Sequence, residues 1–65
     1  MELLTEQERR LYLLLSKTAY SIKEIATILD IGEQHARVLL SNLRKKVKVF
    51  YTVKLGDARV RLYYV

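Results

Sequence analysis

The sequence has no cysteine and a single histidine, His35, among its 65 residues. It cannot form a disulfide and lacks the His and Cys cluster of a structural zinc site, so we expect no metal or other cofactor. No apolar run reaches the ~18 residues of a membrane span. The first residues, MELLTEQERR, are too acidic and polar for a signal peptide. These absences favour a cytoplasmic protein with no membrane association.

Catalytic motifs are also missing. There is no nucleophile elbow, no phosphate-binding loop and no pair of carboxylates in an obvious pocket, so we expect no enzyme activity. The sequence has one Asn and two Gln but many Glu, Lys and Arg residues, a composition typical of thermophiles. A chain of this length buries only ~60% of its unfolded surface, so tight helix packing or oligomerisation must add stability.

Charge is unevenly distributed along the chain. Residues 1–32 carry four basic and five acidic side chains, a net charge of −1, whereas residues 33–65 carry eight basic and two acidic ones, a net charge of +6. Small thermostable proteins also carry many Lys and Arg residues, but that explanation predicts that basic and acidic residues are mixed along the chain. The segregation instead predicts a polyanionic partner.

The first half predicts two capped helices. Thr5 to Glu8 forms a capping box, which predicts a helix over residues 5–17. Ser21 to Glu24 forms a second one, which predicts a helix over residues 22–29. Ala26 allows the next helix to cross at close range, and the connector over residues 30–32 is short enough for a steep crossing.

The first helix carries more apolar surface than a three-helix core needs. Leu11, Tyr12 and Leu15 form an inward stripe. Three further leucines are interpreted as a dimer interface: Leu3, Leu13 and Leu14. Edge packing against the last strand is the alternative.

Residues 33–46 predict an amphipathic third helix. Its apolar face carries Ala36, Leu39, Leu40 and Leu43. The opposite face carries polar and basic side chains together with one valine: Gln34, Arg37, Val38, Ser41 and Lys45. By itself this pattern fits a recognition helix for DNA as well as an ordinary surface helix.

Residues 48–65 alternate with a period of two around Gly56 and predict a hairpin with a basic tip. We expect Tyr51 and Tyr64, like Tyr12, to be core residues. Tyr63 is expected on the outer face, beside Phe50, where it would stack on a base or meet a partner subunit.

Helix, helix, tight turn, helix and basic hairpin together resemble the winged helix-turn-helix superfamily, in particular small MarR-like or ArsR-like regulators of bacteria and archaea. Ala26 matches the small residue of this superfamily's helix-turn-helix. Its apolar positions are held here by Ile25, Leu29, Ile31, Ala36 and Leu39. Asp30 stands where this superfamily often has Gly, and Asp tolerates the left-handed conformation. The resemblance implies one α+β domain, a three-helix bundle followed by a two-stranded wing.

The resemblance also implies a function, a sequence-specific, homodimeric transcription regulator that binds duplex DNA. The third helix would enter the major groove, with two helices of a dimer ~34–36 Å apart. Base contacts would come from Gln34, Arg37, Val38 and Ser41. Phosphate contacts would come from Arg44, Lys45 and Lys46. The wing would reach a minor groove or its phosphates through Lys54, Arg59 and Arg61.

Two other functions fit the sequence. A winged helix can serve as a protein-interaction module of a larger assembly, for which the apolar first helix and Phe50 are suited. The chain can also be a non-specific architectural DNA binder, in which case Gln34 and Ser41 are incidental.

Overall fold

A computed structural model describes residues 3–65. Three helices precede one antiparallel hairpin, which confirms the predicted fold. The helices are α1 (Glu6–Lys17), α2 (Ile22–Leu29) and α3 (Glu33–Arg44), and the strands are β1 (Phe50–Lys54) and β2 (Asp57–Tyr64). Helix α3 ends two residues earlier than predicted because the Lys46 N–H donates to the Leu43 carbonyl in a tightened last turn.

The core lies between the three helices. Helix α1 contributes Leu11 and Leu15, and α2 contributes Ile25 and Ala26. The buried residues of α3 are Ala36, Leu39, Leu40 and Leu43. Tyr12 was predicted to join this core, but it is 37% exposed, so that prediction was wrong. Its position on α1 lies beside the stripe that packs inward, and the buried place is taken by Glu8.

Local sequence signals set the helix ends. Both predicted capping boxes are present, with Thr5 Oγ1 accepting from the Glu8 N–H and Ser21 Oγ accepting from the Glu24 N–H. At the end of α2, Asp30 adopts the left-handed conformation with φ 56° and ψ 50°. This turn lets the Ile31 N–H donate to the Ala26 carbonyl at 2.9 Å and directs the chain steeply into α3.

The face of β2 that packs on the helices is the one that was predicted to point outward. Tyr51 pairs with Tyr63 and Phe50 with Tyr64, so each pair shares a face. Tyr63 is half-buried against the core, whereas Tyr64 is 38% exposed, so the predicted orientations of these two tyrosines were wrong. Tyr51 lies on the core side but beyond the helices and is 54% exposed, so it too is not a core residue.

A backbone bridge explains this orientation. The Tyr20 N–H donates to the Tyr63 carbonyl at 3.0 Å, and the Tyr63 N–H donates to the Tyr20 carbonyl at 2.8 Å. Tyr20, in the segment between α1 and α2, thus pairs with the edge of β2 that does not pair with β1. This pairing places the Tyr63 side chain against the helices and the wing beside α3.

Candidate nucleic-acid interface

Helix α3 presents one continuous exposed face. Gln34, Arg37, Val38 and Ser41 are all exposed, and so is Lys45 just after the helix. The buried residues of α3 lie on the opposite side, which leaves this face free of contacts with the core. The four side chains expected to read bases therefore lie together on one exposed surface, although their contacts with DNA stay a prediction.

A groove of about 510 Å³ separates α3 from the wing. Its walls come from the start of α2, the start of α3 and both strands: Ser21, Ile22, Lys23, Glu24, Glu33, Arg37, Lys54, Arg59, Val60, Arg61 and Tyr63. A smaller depression of about 180 Å³ continues it along α3 past Ser41 to Arg44. Both are bordered by Arg37 and Tyr63, so the two depressions adjoin each other, and together we call them the wing groove.

The wing groove is cationic. Five basic side chains border its larger part: Lys23, Arg37, Lys54, Arg59 and Arg61. Two of the lining residues are carboxylates, and one of these, Glu24, accepts from the Ser21 N–H at 3.0 Å in the α2 capping box. Glu33 is the other, at the start of α3, where a negative charge suits the helix dipole. Asp57 is not a lining residue, but its Oδ1 accepts from Arg59 Nε at 3.3 Å. The excess of cations suits a phosphate backbone.

The three predicted phosphate-binding residues at the end of α3 differ in their surroundings. Arg44 and Lys45 are exposed, and Arg44 borders the wing groove. Lys46 instead points back to the protein, where its Nζ donates to Glu8 Oε1 at 2.8 Å and to the Leu3 carbonyl at 3.4 Å. Because its ammonium is paired with Glu8, the phosphate contacts proposed below rest on Arg44 and Lys45.

The sequence reasoning missed the ion pair between Lys46 and Glu8. Glu8 is buried, and the Lys46 ammonium together with the Thr5 backbone N–H holds the pKa of Glu8 below its usual value. A signal was available, because Glu8 lies three residues before Leu11 and seven before Leu15, on the same buried stripe.

The three leucines predicted at a dimer interface do not share one environment. Leu3 is 87% exposed and Leu13 is 53% exposed. Leu14 is half-buried and packs against the core of its own chain. Only Leu3 and Leu13 are therefore available to a partner over most of their surface.

Other kinds of site are not apparent in residues 3–65. No three His, Cys, Asp or Glu side chains come together as metal ligands in this part of the chain, and His35 is exposed on α3. Within the same residues, no helix is both long and apolar enough to cross a membrane.

Comparison with known proteins bears on the fold. No protein-family profile matches the chain, and no curated protein matches it. Solved structures do match. A point mutant of ZitR from Lactococcus lactis superimposes with a TM-score of 0.86 at 22% identity, over 97% of this chain and 43% of that one. The adhesin competence repressor AdcR from Streptococcus pyogenes gives 0.84 at 24% identity, over 95% and 45%.

This chain has the winged-helix fold. The superposition confirms the winged helix-turn-helix resemblance at the level of fold. The winged-helix chain spans less than half the length of either neighbour. In winged-helix terms, α2 and α3 form the helix-turn-helix and the hairpin is the wing.

Proposed function

We propose that this winged-helix chain is a sequence-specific duplex-DNA-binding transcription regulator that acts as a homodimer. One observation carries the proposal, namely that the exposed polar face of α3 lies beside a groove lined by five basic side chains. A helix alone supplies base contacts but little affinity, and a cationic patch alone supplies affinity but no sequence preference. Here the two are adjacent.

The residue types on α3 suit base recognition. Gln34 has the donor and acceptor geometry for adenine, and Arg37 has that for guanine. Val38 can contact a thymine methyl group, and Ser41 can hydrogen-bond to a base or a phosphate. Arg44 and Lys45 lie at the far end of the helix, where they would hold the phosphates that flank the bases.

The wing supplies the second part of the proposed interface. Lys54, Arg59 and Arg61 border the same groove as Arg37, so DNA in contact with α3 would also meet the wing. A DNA duplex bound to α3 would place its phosphates or an adjacent minor groove next to these three residues. Such contacts would raise affinity for all sequences alike.

A homodimer is supported by exposed apolar side chains away from the wing groove. Leu3 and Leu13 do not border it and are largely exposed. Burying them against a second copy removes apolar surface from water and would place two recognition helices on one face of the duplex. AdcR, one of the structural neighbours, is named as a repressor, which agrees with a regulatory role.

The test is duplex binding followed by fluorescence anisotropy. Sites enriched from a random pool are compared with scrambled duplexes of equal length across a salt series. We expect a specificity ratio of ~10³ or more, as for characterised regulators. Equal binding of both pools with a steep salt dependence would identify an architectural protein instead. Absence of binding at physiological salt would overturn the DNA-binding proposal.

A protein-interaction module is the second candidate, because the outer face of the wing is apolar. Phe50 is 49% exposed and stacks on Tyr64 with ring centroids 5.6 Å apart. This pair faces away from the helices and would suit a partner protein. If duplex DNA fails to bind, this face and Leu13 are the surfaces to mutate next.

A further inference from the structure

Strand β1 has one open edge. It pairs with β2 on one side, and no strand or bridge within residues 3–65 pairs with its other side. All five of its residues are exposed, among them Phe50, Tyr51 and Val53 at 49%, 54% and 48%. Proteins usually protect such an edge with proline or charged side chains. The chain has no proline, and the only charge on β1 is Lys54 at its end, so this edge is suited to pairing with another strand.

The bridge to Tyr20 identifies the backbone groups on the open edge. The N–H and carbonyl of Tyr63 both bond to Tyr20, so they point away from β1. In an antiparallel ladder the residue opposite, here Tyr51, then points its own N–H and carbonyl to the other side. Val53, opposite Arg61, lies two residues further along the strand and points the same way. Tyr51 and Val53 therefore present their backbone groups along the open edge.

From this edge we propose that β1 pairs with β1 of a second copy of the chain when two copies are bound at adjacent sites on one duplex. The pairing is antiparallel, with Thr52 on the two-fold axis. Tyr51 of each copy then lies opposite Val53 of the other, and each of these two pairs exchanges both of its hydrogen bonds. The backbone groups that Tyr51 and Val53 present are all satisfied, and the two hairpins become one continuous sheet.

The side chains of β1 favour a second copy as the occupant. Each Tyr51 meets Val53 across the strands, an aromatic and β-branched pair, and Thr52 meets its own counterpart, and both kinds of pair stabilise sheets. The antiparallel direction also places the two Lys54 side chains at opposite ends of the paired strands. Parallel pairing in the same register would set them side by side, where like charges repel. The strand is thus complementary to itself in one direction only.

The charge of the hairpin explains why the pairing needs DNA. Residues 50–64 carry three basic side chains and one acidic one. Asp57 Oδ1 accepts from Arg59 Nε at 3.3 Å, whereas the Arg61 guanidinium lies over the Tyr51 ring, 5.1 Å from its centroid. Two free hairpins therefore repel each other, and the backbone bonds of one short strand pair are fewer than the ~10 hydrogen bonds of a typical interface. Phosphates next to the wings remove the repulsion, and binding to one duplex raises the effective concentration.

This inference rests on the proposed DNA binding, and a duplex with two binding sites separates the two. The full chain is titrated with duplexes that carry one enriched site or two, and the spacing between the two sites is varied over one helical turn. At spacings that bring two wings together, we expect the second site to bind at least about fivefold more tightly than an isolated site. Independent binding at every spacing would overturn the inference, leave the edge to a strand of a different protein and keep the proposed function intact. Failure to bind a single site would remove both.

Val53→Pro tests the backbone bonds. Proline has no N–H, and because the Val53 N–H points to the open edge, the bonds between β1 and β2 are retained. Val53→Thr is the matched control, because it keeps the N–H and the β-branched shape. We expect both variants to bind a single site like wild-type protein, and only Val53→Pro to bind two sites independently. Equal cooperativity in the two variants would overturn the inference.

Thr52→Cys tests the register without proline. The chain has no cysteine of its own, so the variant carries a single thiol. Residues that face each other in a non-hydrogen-bonded antiparallel pair have Cα atoms ~4.5 Å apart, a distance that a disulfide can span. Leu55→Cys is the control, because Leu55 is 99% exposed but lies beyond the paired residues.

The rate of disulfide formation under a mild thiol oxidant is the measurement for these two cysteine variants. We expect Thr52→Cys to form a covalent dimer rapidly on the two-site duplex and slowly on the one-site duplex, and Leu55→Cys to react slowly on both. Equal rates for the two variants on the two-site duplex would overturn the proposed register. Equal rates for Thr52→Cys on the two duplexes would overturn the pairing between adjacent sites.

Discussion

Lys46 Nζ lies 2.8 Å from Oε1 of Glu8, which joins the turn after α3 to the first turn of α1. The Glu8 side chain is buried and also accepts from the Thr5 N–H at 2.8 Å, so one carboxylate both caps α1 and binds the end of α3. The position of α3 relative to α1 therefore depends on an ion pair as well as on apolar packing.

Replacing Lys46 by methionine should lower the melting temperature. The change leaves the buried Glu8 carboxylate without its cation, and an uncompensated buried charge is destabilising. Lys45→Met is the matched control, because Lys45 is exposed and makes no ion pair within residues 3–65. Thermal unfolding followed by circular dichroism measures both. Equal melting temperatures for the two variants would show that the ion pair contributes nothing.

Acid should lower the free energy of unfolding through the ion pair between Glu8 and Lys46. The pKa of Glu8 is lowered in the folded state, first by the Lys46 ammonium, so the group stabilises the fold above its unfolded pKa. That stabilisation is lost as the pH falls below the ordinary glutamate range, ~4.3, and through the lowered folded value. Urea midpoints between pH 3 and pH 7 test this.

Glu8→Gln is the control for the acid effect, because glutamine preserves the capping geometry without the charge. We expect wild-type protein to exceed Glu8→Gln in stability at pH 7 and the two to converge in acid. A constant difference across this pH range would show that another group controls the acid response.

The helices were predictable from sequence because their signals are local. Both capping boxes lie within four residues, and the apolar spacing on α3 identifies its buried and exposed faces without knowledge of the fold. The proposed base-reading surface, which includes Gln34 and Arg37, follows from that spacing alone. Both signals come from residues close together in the sequence, so they can be recognised without knowing any tertiary contact.

The hairpin orientation was not predictable in the same way. Both faces of the strands carry large apolar residues, with Tyr63 on one and Tyr64 on the other, so alternation does not reveal which face packs inward. The deciding contact is the bridge from Tyr20 to Tyr63, far apart in sequence. The different partners of Arg59 and Arg61 likewise depend on the register and on the irregularity after Val53.

The left-handed residue between α2 and α3 offers a test of backbone conformation. Asp30 has φ 56°, a conformation that costs an L-residue ~1–2 kcal/mol and costs glycine nothing. Asp30→Gly should therefore leave the free energy of unfolding unchanged or raise it by up to ~1 kcal/mol, while Asp30→Val should lower it clearly. Chemical denaturation measures both. A valine variant as stable as the glycine variant would argue against the left-handed turn.

The proposed dimer depends on the exposed side of α1. Leu13→Glu places a charge on a side chain that is 53% exposed, so the fold of one subunit should tolerate it, whereas an apolar interface should not. We expect sedimentation velocity to show a dimer for wild-type protein and a monomer for Leu13→Glu. Thr27→Glu, at an exposed position of α2, is the control and should remain dimeric. If Leu13→Glu forms dimers as stable as those of the wild-type protein, Leu13 is not part of the interface.

The roles proposed for α3 and the wing differ in what they contribute to DNA affinity. Arg37→Ala should weaken binding of the preferred site by ~1–3 kcal/mol and relax specificity, because it removes a base contact. Lys54→Ala should weaken all sequences alike and reduce the slope of log affinity against log salt by ~1, because it removes a phosphate contact. Anisotropy titrations on preferred and scrambled duplexes at several salt concentrations separate the two effects. If both variants lose affinity equally for every sequence, Arg37 contacts phosphate and α3 is not the element that reads the bases.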